Sequence, residues 1–373
     1  MIMRNSLIII LFLFILLLPL LKSFSENESQ GLIKELIDLA DKLLDEKAYR
    51  DALDTYIGAL EDVSEIKQPE LFAHIKLHLG ICYRMLAEKE GGEANIQEAM
   101  KSFNEALRYY NSKKYPYEYA RVKVEMGRTL HSISEASDKE MNMREALESF
   151  DEALKVLTED KYPVEYAQTK IDIGDVYVDM SYVKDAEKNI LVALTSYDEA
   201  LKVFTIDKYP MGYAKTQNSI GIAYWTLSRY KQQNKNINSA LSAYNEALRI
   251  FTKQSHPYEY AVTKYNFGDA YLSLAKIRDT EINLDRAITA YGEALSARTI
   301  GSDPVGYAMT QYGLGLAYSA LSDVRDKNEN IDMAIKAFEE ALKVYTPTNF
   351  PKHYNMVISS LEKVKEKLNE IPK

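Results

Sequence analysis

The chain has 373 residues, 46% of them apolar and 27% charged, which is enough to bury a large core. Its net charge of −9 argues against nucleic acid as a partner, because phosphate contacts need clustered Lys and Arg. Cys82 is the only cysteine, which excludes an internal disulfide and any CxxC metal or redox site; 15 Gly and 10 Pro give little loop punctuation and suit a helix-rich chain.

At the start, Arg4 precedes an apolar run from Leu7 to Leu21, followed by Lys22 and Ser23. One basic residue before a short apolar run is the layout of a secretory signal, and the run is shorter than the roughly 20 residues of a comfortable spanning helix. Residues 1–25 therefore read as a signal peptide, cut after Ser25, or as an uncleaved membrane anchor. Either way Arg4 favours an inside N-terminus, so the rest of the chain is expected to be extracytoplasmic, secreted or tethered to the membrane by residues 7–21. No cysteine follows the run to carry a lipid, and the sequon Asn27-Glu28-Ser29 is a pattern that chance supplies often.

Beyond this segment the sequence repeats. Pro69, Pro116, Pro163, Pro210, Pro257, Pro304 and Pro351 are spaced by 47 residues without a slip. In phase with them run an aromatic column (Phe72 to Tyr354), a glycine column (Gly80, Gly127, Gly174, Gly221, Gly268, Gly315) and an asparagine column (Asn95 to Asn330). Two alanine columns follow, from Ala99 and Ala106 to Ala334 and Ala341. Proline loses nothing at the first turn of a helix, so it marks the start of a first helix; Asn is read as the N-cap of a second. Glycine costs about 1 kcal/mol inside a helix, and its repetition implies close helix approach, with Phe150, Tyr197, Tyr244, Tyr291 and Phe338 filling the space beside it. The predicted hairpins fall at about 30–66, 69–113, 116–160, 163–207, 210–254, 257–300 and 304–347, within a solenoid over 26–350. The final segment, 351–373, reads as a capping helix with the apolar stripe Val357, Leu361, Val364 and Leu368.

Leu314-Gly315, Tyr318, Ala334, Phe338 and Ala341 match position by position the motif of the tetratricopeptide repeat family, which the pattern over about 32–350 resembles. The first hairpin, with Leu36, Leu39-Ala40, Leu43, Tyr49, Ala52, Tyr56 and Ala59, fits the family's ordinary spacing, and the later ones resemble an extended 47-residue variety. The resemblance implies an all-α, right-handed superhelical solenoid of seven antiparallel helical hairpins plus a C-terminal capping helix. It also implies a concave groove, lined by the first helices, that binds extended peptides or a partner's helix. Carried onto this chain, the groove positions include Arg121, Arg128 and His131, then Asp172, Asp175 and Asp179 with Gln168 and Ile171. After these come Lys215, Asn218 and Trp225, and finally Val262, Tyr265 and Tyr312. This runs from basic through acidic to aromatic, suited to a peptide of complementary charge with an apolar tail; ordinary solvated helix faces are the alternative.

One departure from the family stands out. Where a large apolar residue is usual, four positions before the glycine, this chain has Lys76, Lys123, Lys170, Gln217, Lys264 and Gln311. The second helices carry Glu105, Glu152, Glu199, Glu246, Glu293 and Glu340 in phase. The two columns are expected to form a ladder of one Lys/Gln–Glu contact per hairpin; otherwise they are two exposed columns that never meet.

No phosphate-binding glycine loop, GxSxG or isolated acidic pair is present. His74, His78 and Cys82 share a helix stripe, but Cys82 lies about 12 Å from His74 by helix rise, so no metal site is expected. The expectation is a non-catalytic, cofactor-free scaffold or adaptor for a protein or extended peptide, monomeric, touching a membrane only through its N-terminal segment. A self-associating structural solenoid is the alternative.

Overall fold

The computed structural model describes residues 26–90, 92–133 and 138–369. The expected signal peptide or anchor lies outside them. Among the described residues there are fifteen helices and no strand: α1 Glu26–Asp45, α2 Tyr49–Glu61, α3 Pro69–Glu90, α4 Glu93–Leu107, α5 Pro116–Ile133, α6 Lys139–Leu154, α7 Pro163–Met180, α8 Ala186–Val203, α9 Pro210–Leu227, α10 Gln233–Leu248, α11 Pro257–Ala275, α12 Thr280–Ala297, α13 Pro304–Leu321, α14 Lys327–Leu342 and α15 Pro351–Asn369. They divide into two compact units, one up to Thr158 holding α1–α6 and one from Glu159 holding α7–α15. Within each unit a helix packs mainly on its hairpin partner and on the next hairpin.

The glycine column explains the tightness of each hairpin. In the first unit Phe103 lies over Gly80 and Phe150 over Gly127; in the second, Tyr197, Tyr244, Tyr291 and Phe338 cover Gly174, Gly221, Gly268 and Gly315. A Cβ at any of the six would fall within 3.0 Å of a ring atom. These rings are essentially sealed from solvent, as are the alanines that flank them on the second helices. Each buried ring stabilises its hairpin by about 1.5–3 kcal/mol relative to exposure.

The asparagine column corrects the sequence reading. Asn142, Asn189, Asn236, Asn283 and Asn330 lie inside the first turn of the second helix rather than at its cap, and they are buried. In the second unit each side-chain amide donates backwards, to the carbonyls of Lys184, Lys231, Arg278 and Arg325 at 2.6–2.8 Å. The asparagines thus tie down the preceding turn. The residue at the cap position, Asp138, Asp185, Gln232, Asp279 or Asp326, has φ between 43° and 45°, a left-handed conformation that reverses the chain between the helices.

Between hairpins, buried Val63, Tyr110 and Leu157 in the first unit, and Phe204, Phe251 and Tyr345 in the second, occupy one register. Arg298 takes the same register and is also buried. The stripe on α15 is shorter than expected: Val357, Leu361 and Val364 are buried against Phe338 and Tyr345, but Leu368 is exposed. There the end of α15 is held by polar contacts instead, with Lys367 Nζ donating to the Ser319 carbonyl at 3.0 Å and pairing with Asp323 at 2.7 Å.

Candidate functional site

The Lys and Glu columns meet in the four hairpins that carry lysine. Lys76–Glu105 and Lys123–Glu152 in the first unit, and Lys170–Glu199 and Lys264–Glu293 in the second, pair at 2.5–3.5 Å. Where glutamine replaces lysine, the column aromatic makes the contact: Tyr213 donates to Glu246 at 2.8 Å, and Tyr307 donates to Glu340 at 2.9 Å while accepting from Gln311 at 3.1 Å. The same aromatics lie under the lysine ammoniums, 5.2–5.6 Å from nitrogen to ring centroid. The arrangement is a three-residue rung, lysine or glutamine, ring and glutamate, and it is half-buried rather than sealed.

In the first unit, Arg121, Arg128 and His131 are half-buried on α5. Arg128 is not a lone basic group. Glu125 sits between Arg128 at 2.7 Å and buried Arg84 at 2.8 Å, and Arg84 also reaches Glu88 at 2.6 Å. Burial alone would raise the Glu125 carboxyl, but the two guanidiniums outweigh it and hold the group below its ordinary value.

The histidine stripe gains a partner from another helix. Asp41 on α1 lies 3.4 Å from His74 Nε2 and accepts a hydrogen bond from the Tyr56 hydroxyl. His78 is buried, its ring 4.2 Å from that of His74, and its Nδ1 donates to the His74 carbonyl at 2.8 Å. Cys82 is wholly buried, burial pushes its thiol up to about 12, and it belongs to the core. Asp41 was missed in the sequence because it comes from a different hairpin, and only the fold brings it to the histidines.

In the second unit a cleft of about 250 Å³ opens across three hairpins, lined by Gln168, Ile171 and Asp175 from α7 and Lys215, Asn218 and Ser219 from α9. Tyr258, Glu259, Val262 and Thr263 of α11 and Phe251 from the preceding segment complete it. Asp175 also accepts from the core tyrosine Tyr197 at 2.7 Å, so it serves packing as well as the cleft. Asp172, half-buried one turn before it, accepts from Gln168 at 3.3 Å; Asp179 is half-buried one turn beyond. Asp269 repeats the Asp175 arrangement, accepting from Tyr291 at 2.5 Å. Burial raises its carboxyl to about 6, against the opposing pull of the Tyr291 and Tyr265 hydroxyls.

The three aromatics expected as anchors each bridge to a neighbour. Trp225 donates to Ser273 on α11 at 3.1 Å, Tyr265 packs on Tyr291 at 5.9 Å between centroids, and Tyr312 lies 3.2 Å from the Ser360 hydroxyl on α15. All three are half-buried. Tyr258 in the cleft lay outside the groove positions; it is exposed in the first turn of α11, one residue after Pro257 and before the groove positions carried onto that helix begin.

Two-helix repeats, six of them closed by a ring over a glycine and stacked on the next within each unit, define an all-α helical-repeat protein of the solenoid class. Residues 315–346 match the sequence model of the tetratricopeptide repeat family, and the all-helical hairpin fold agrees with that match. Among solved structures it is similar to the C-terminal part of a TPR repeat-containing protein from Cytophaga hutchinsonii, at 15% identity over 87% of this chain and 99% of that one, with a TM-score of 0.45. It is also similar to a chain of the APC/C hetero-tetramer Cut9–Hcn1, at 18% identity and a TM-score of 0.52, covering 93% of this chain and 58% of that one. A Rap protein complexed with Competence and Sporulation Factor matches at 16% identity and a TM-score of 0.50, over 91% of this chain and 87% of that one. At these identities the likeness is one of fold. No curated protein matches the chain.

Proposed function

We propose that this chain is a non-catalytic scaffold that binds a protein or an extended peptide, displayed outside the cytoplasm. The observation that carries the reading is the cleft across α7, α9 and α11, where amide, carboxylate, ammonium and apolar groups from three successive hairpins face one space. Such a mixture suits a peptide backbone, whose donors and acceptors need partners while its side chains need apolar contact. The Rap protein of similar fold is complexed with a factor, which supports a ligand-holding role for this architecture. Display outside the cytoplasm rests on Arg4 and the apolar run 7–21. Among the described residues no helix is long and apolar enough to cross a membrane. A monomer is supported by α15, whose outer face exposes Lys352, Glu362, Lys363, Lys365 and Glu366.

Selection of extended peptides from a displayed library against the intact chain tests the reading. Enriched peptides should lose affinity about tenfold or more on Lys215→Glu or Asn218→Ala, a change on the order of 1.4 kcal/mol, and should be indifferent to Leu191→Ser on α8. No enrichment, or equal affinity for all the variants, would overturn it. Mass spectrometry of the N-terminus in membrane and soluble fractions tests the placement and separates a cleaved signal from a retained anchor.

A further inference from the structure

We propose that Asp41, His74 and His78 form a binding site for a divalent first-row transition ion, with zinc the closest match. One ligand atom from each residue lies within 4.8 Å of the others, and no two of them come from adjacent positions in the chain. The two histidines stand at i and i+4 on α3, the helical spacing that lets two imidazoles reach one ion. The carboxylate arrives from α1. At zinc–ligand distances near 2.0–2.1 Å, the edge of a tetrahedron is about 3.4 Å. The His74 Nε2–Asp41 Oδ1 separation is already 3.4 Å. Asp41 and His74 are 41% and 32% exposed at their side chains, so they have room to close on an ion and an ion has a way in.

The surroundings are those of a supported site. A carbonyl oxygen only accepts, so the His78 contact to the His74 carbonyl places the proton on Nδ1 and leaves Nε2 with its lone pair for a metal. Tyr56 holds the carboxylate from the other side through its hydroxyl, and its ring stacks on His78 at 5.7 Å between centroids. Two imidazoles and a carboxylate suit zinc and its neighbours, whereas calcium and magnesium require oxygen cages. Three protein ligands leave a coordination position for water or for a group from a partner. The metal-free alternative is a His74–Asp41 polar contact beside a buried histidine.

The test is a zinc titration of the intact chain, free of any affinity tag, against a chromophoric chelator, repeated with cobalt(II) to read the visible bands of a tetrahedral site. One equivalent should bind saturably. His74→Ala and Asp41→Asn should abolish that binding while their melting curves without metal show a folded protein, as their partial exposure allows. Tyr56→Phe, which keeps the ring and removes the hydrogen bond, should weaken binding about 10–100-fold. Excess calcium or magnesium should not displace the ion. The absence of stoichiometric zinc, zinc retained by both His74→Ala and Asp41→Asn, or displacement by calcium would each overturn the assignment.

Discussion

Arg298 and Asp303 form an ion pair, Nε to Oδ2 at 2.8 Å, in the register where neighbouring hairpins of the same unit pack two rings edge to face. The equivalent pairs are Phe204 with Tyr209 at 5.7 Å, Phe251 with His256 at 5.9 Å and Tyr345 with Phe350 at 5.6 Å between centroids. Arg298 also donates to the Gly306 carbonyl and the Thr310 hydroxyl, so its guanidinium replaces a ring's packing with a polar network. Removing one partner of a buried pair leaves the other charge uncompensated. Asp303→Ala should destabilise the α12–α13 junction by about 3–5 kcal/mol. Arg298→Phe with Asp303→Tyr, which restores the aromatic form, should return near the parent, less about 1 kcal/mol for the lost Asp303 cap on Gly306. Hydrogen exchange of the α13 amides is the measurement, because an array opens locally before it melts as a whole.

Gly221 separates helix propensity from packing. Alanine in its place gains about 1 kcal/mol of intrinsic helix preference. Its Cβ, however, would fall within 3.0 Å of the Tyr244 ring, which is sealed by its neighbours. Overpacking of this kind costs about 1–3 kcal/mol, so Gly221→Ala should be net destabilising in urea unfolding. Gly31→Ala, where nothing lies within 4 Å of the new atom, should instead be stabilising. If both substitutions stabilise, the glycine column serves no packing need.

The all-helical hairpin fold was legible because its constraints are periodic. A proline without a partner for its missing N–H, a glycine under a ring and an alanine seam recur in phase, and each has one economical reading. The Lys–Glu rungs were legible for the same reason, although the aromatic third member was not, since Tyr119 or Tyr213 looks like any core tyrosine. The asparagine was misplaced because a cap and a first-turn residue differ by only three or four positions, and both use the side-chain amide. Arg298 and Asp41 were invisible for different reasons: the first breaks its column, and the second needs a contact between helices from two hairpins.

Lys170 and Glu199 test whether the rungs stabilise or only set register. They pair at 2.5 Å with side chains 19% and 31% exposed, and Tyr166 approaches the same carboxylate at 3.4 Å. A double-mutant cycle with Lys170→Met and Glu199→Gln should give a coupling of about 0.5–1 kcal/mol at low salt. It should shrink in 1 M salt, roughly a 3 Å screening length, because the rung keeps contact with water. No coupling at either salt would reduce the rungs to neighbours by geometry alone.

Asp269 should give the second unit a pH dependence of its own. Its carboxyl is raised from 3.8 to about 6 by burial, so the folded protein holds this proton more tightly than the unfolded chain. The resulting stabilisation is complete below the unfolded value near 3.9 and is lost as pH rises through about 6. Asp269→Asn keeps an acceptor for Tyr291 and removes the charge. It should therefore flatten the stability profile between pH 4 and 7 and raise stability at pH 7 by about 2–3 kcal/mol. Glu125 in the first unit has the opposite sign. Its carboxyl is held below 4.5, so its contribution is present at neutral pH and lost as pH falls. Hydrogen exchange across the pH range should show protection of α11 and α12 rising as pH drops toward 4 while protection of α5 declines below that, and parallel changes in both would refute the assignment.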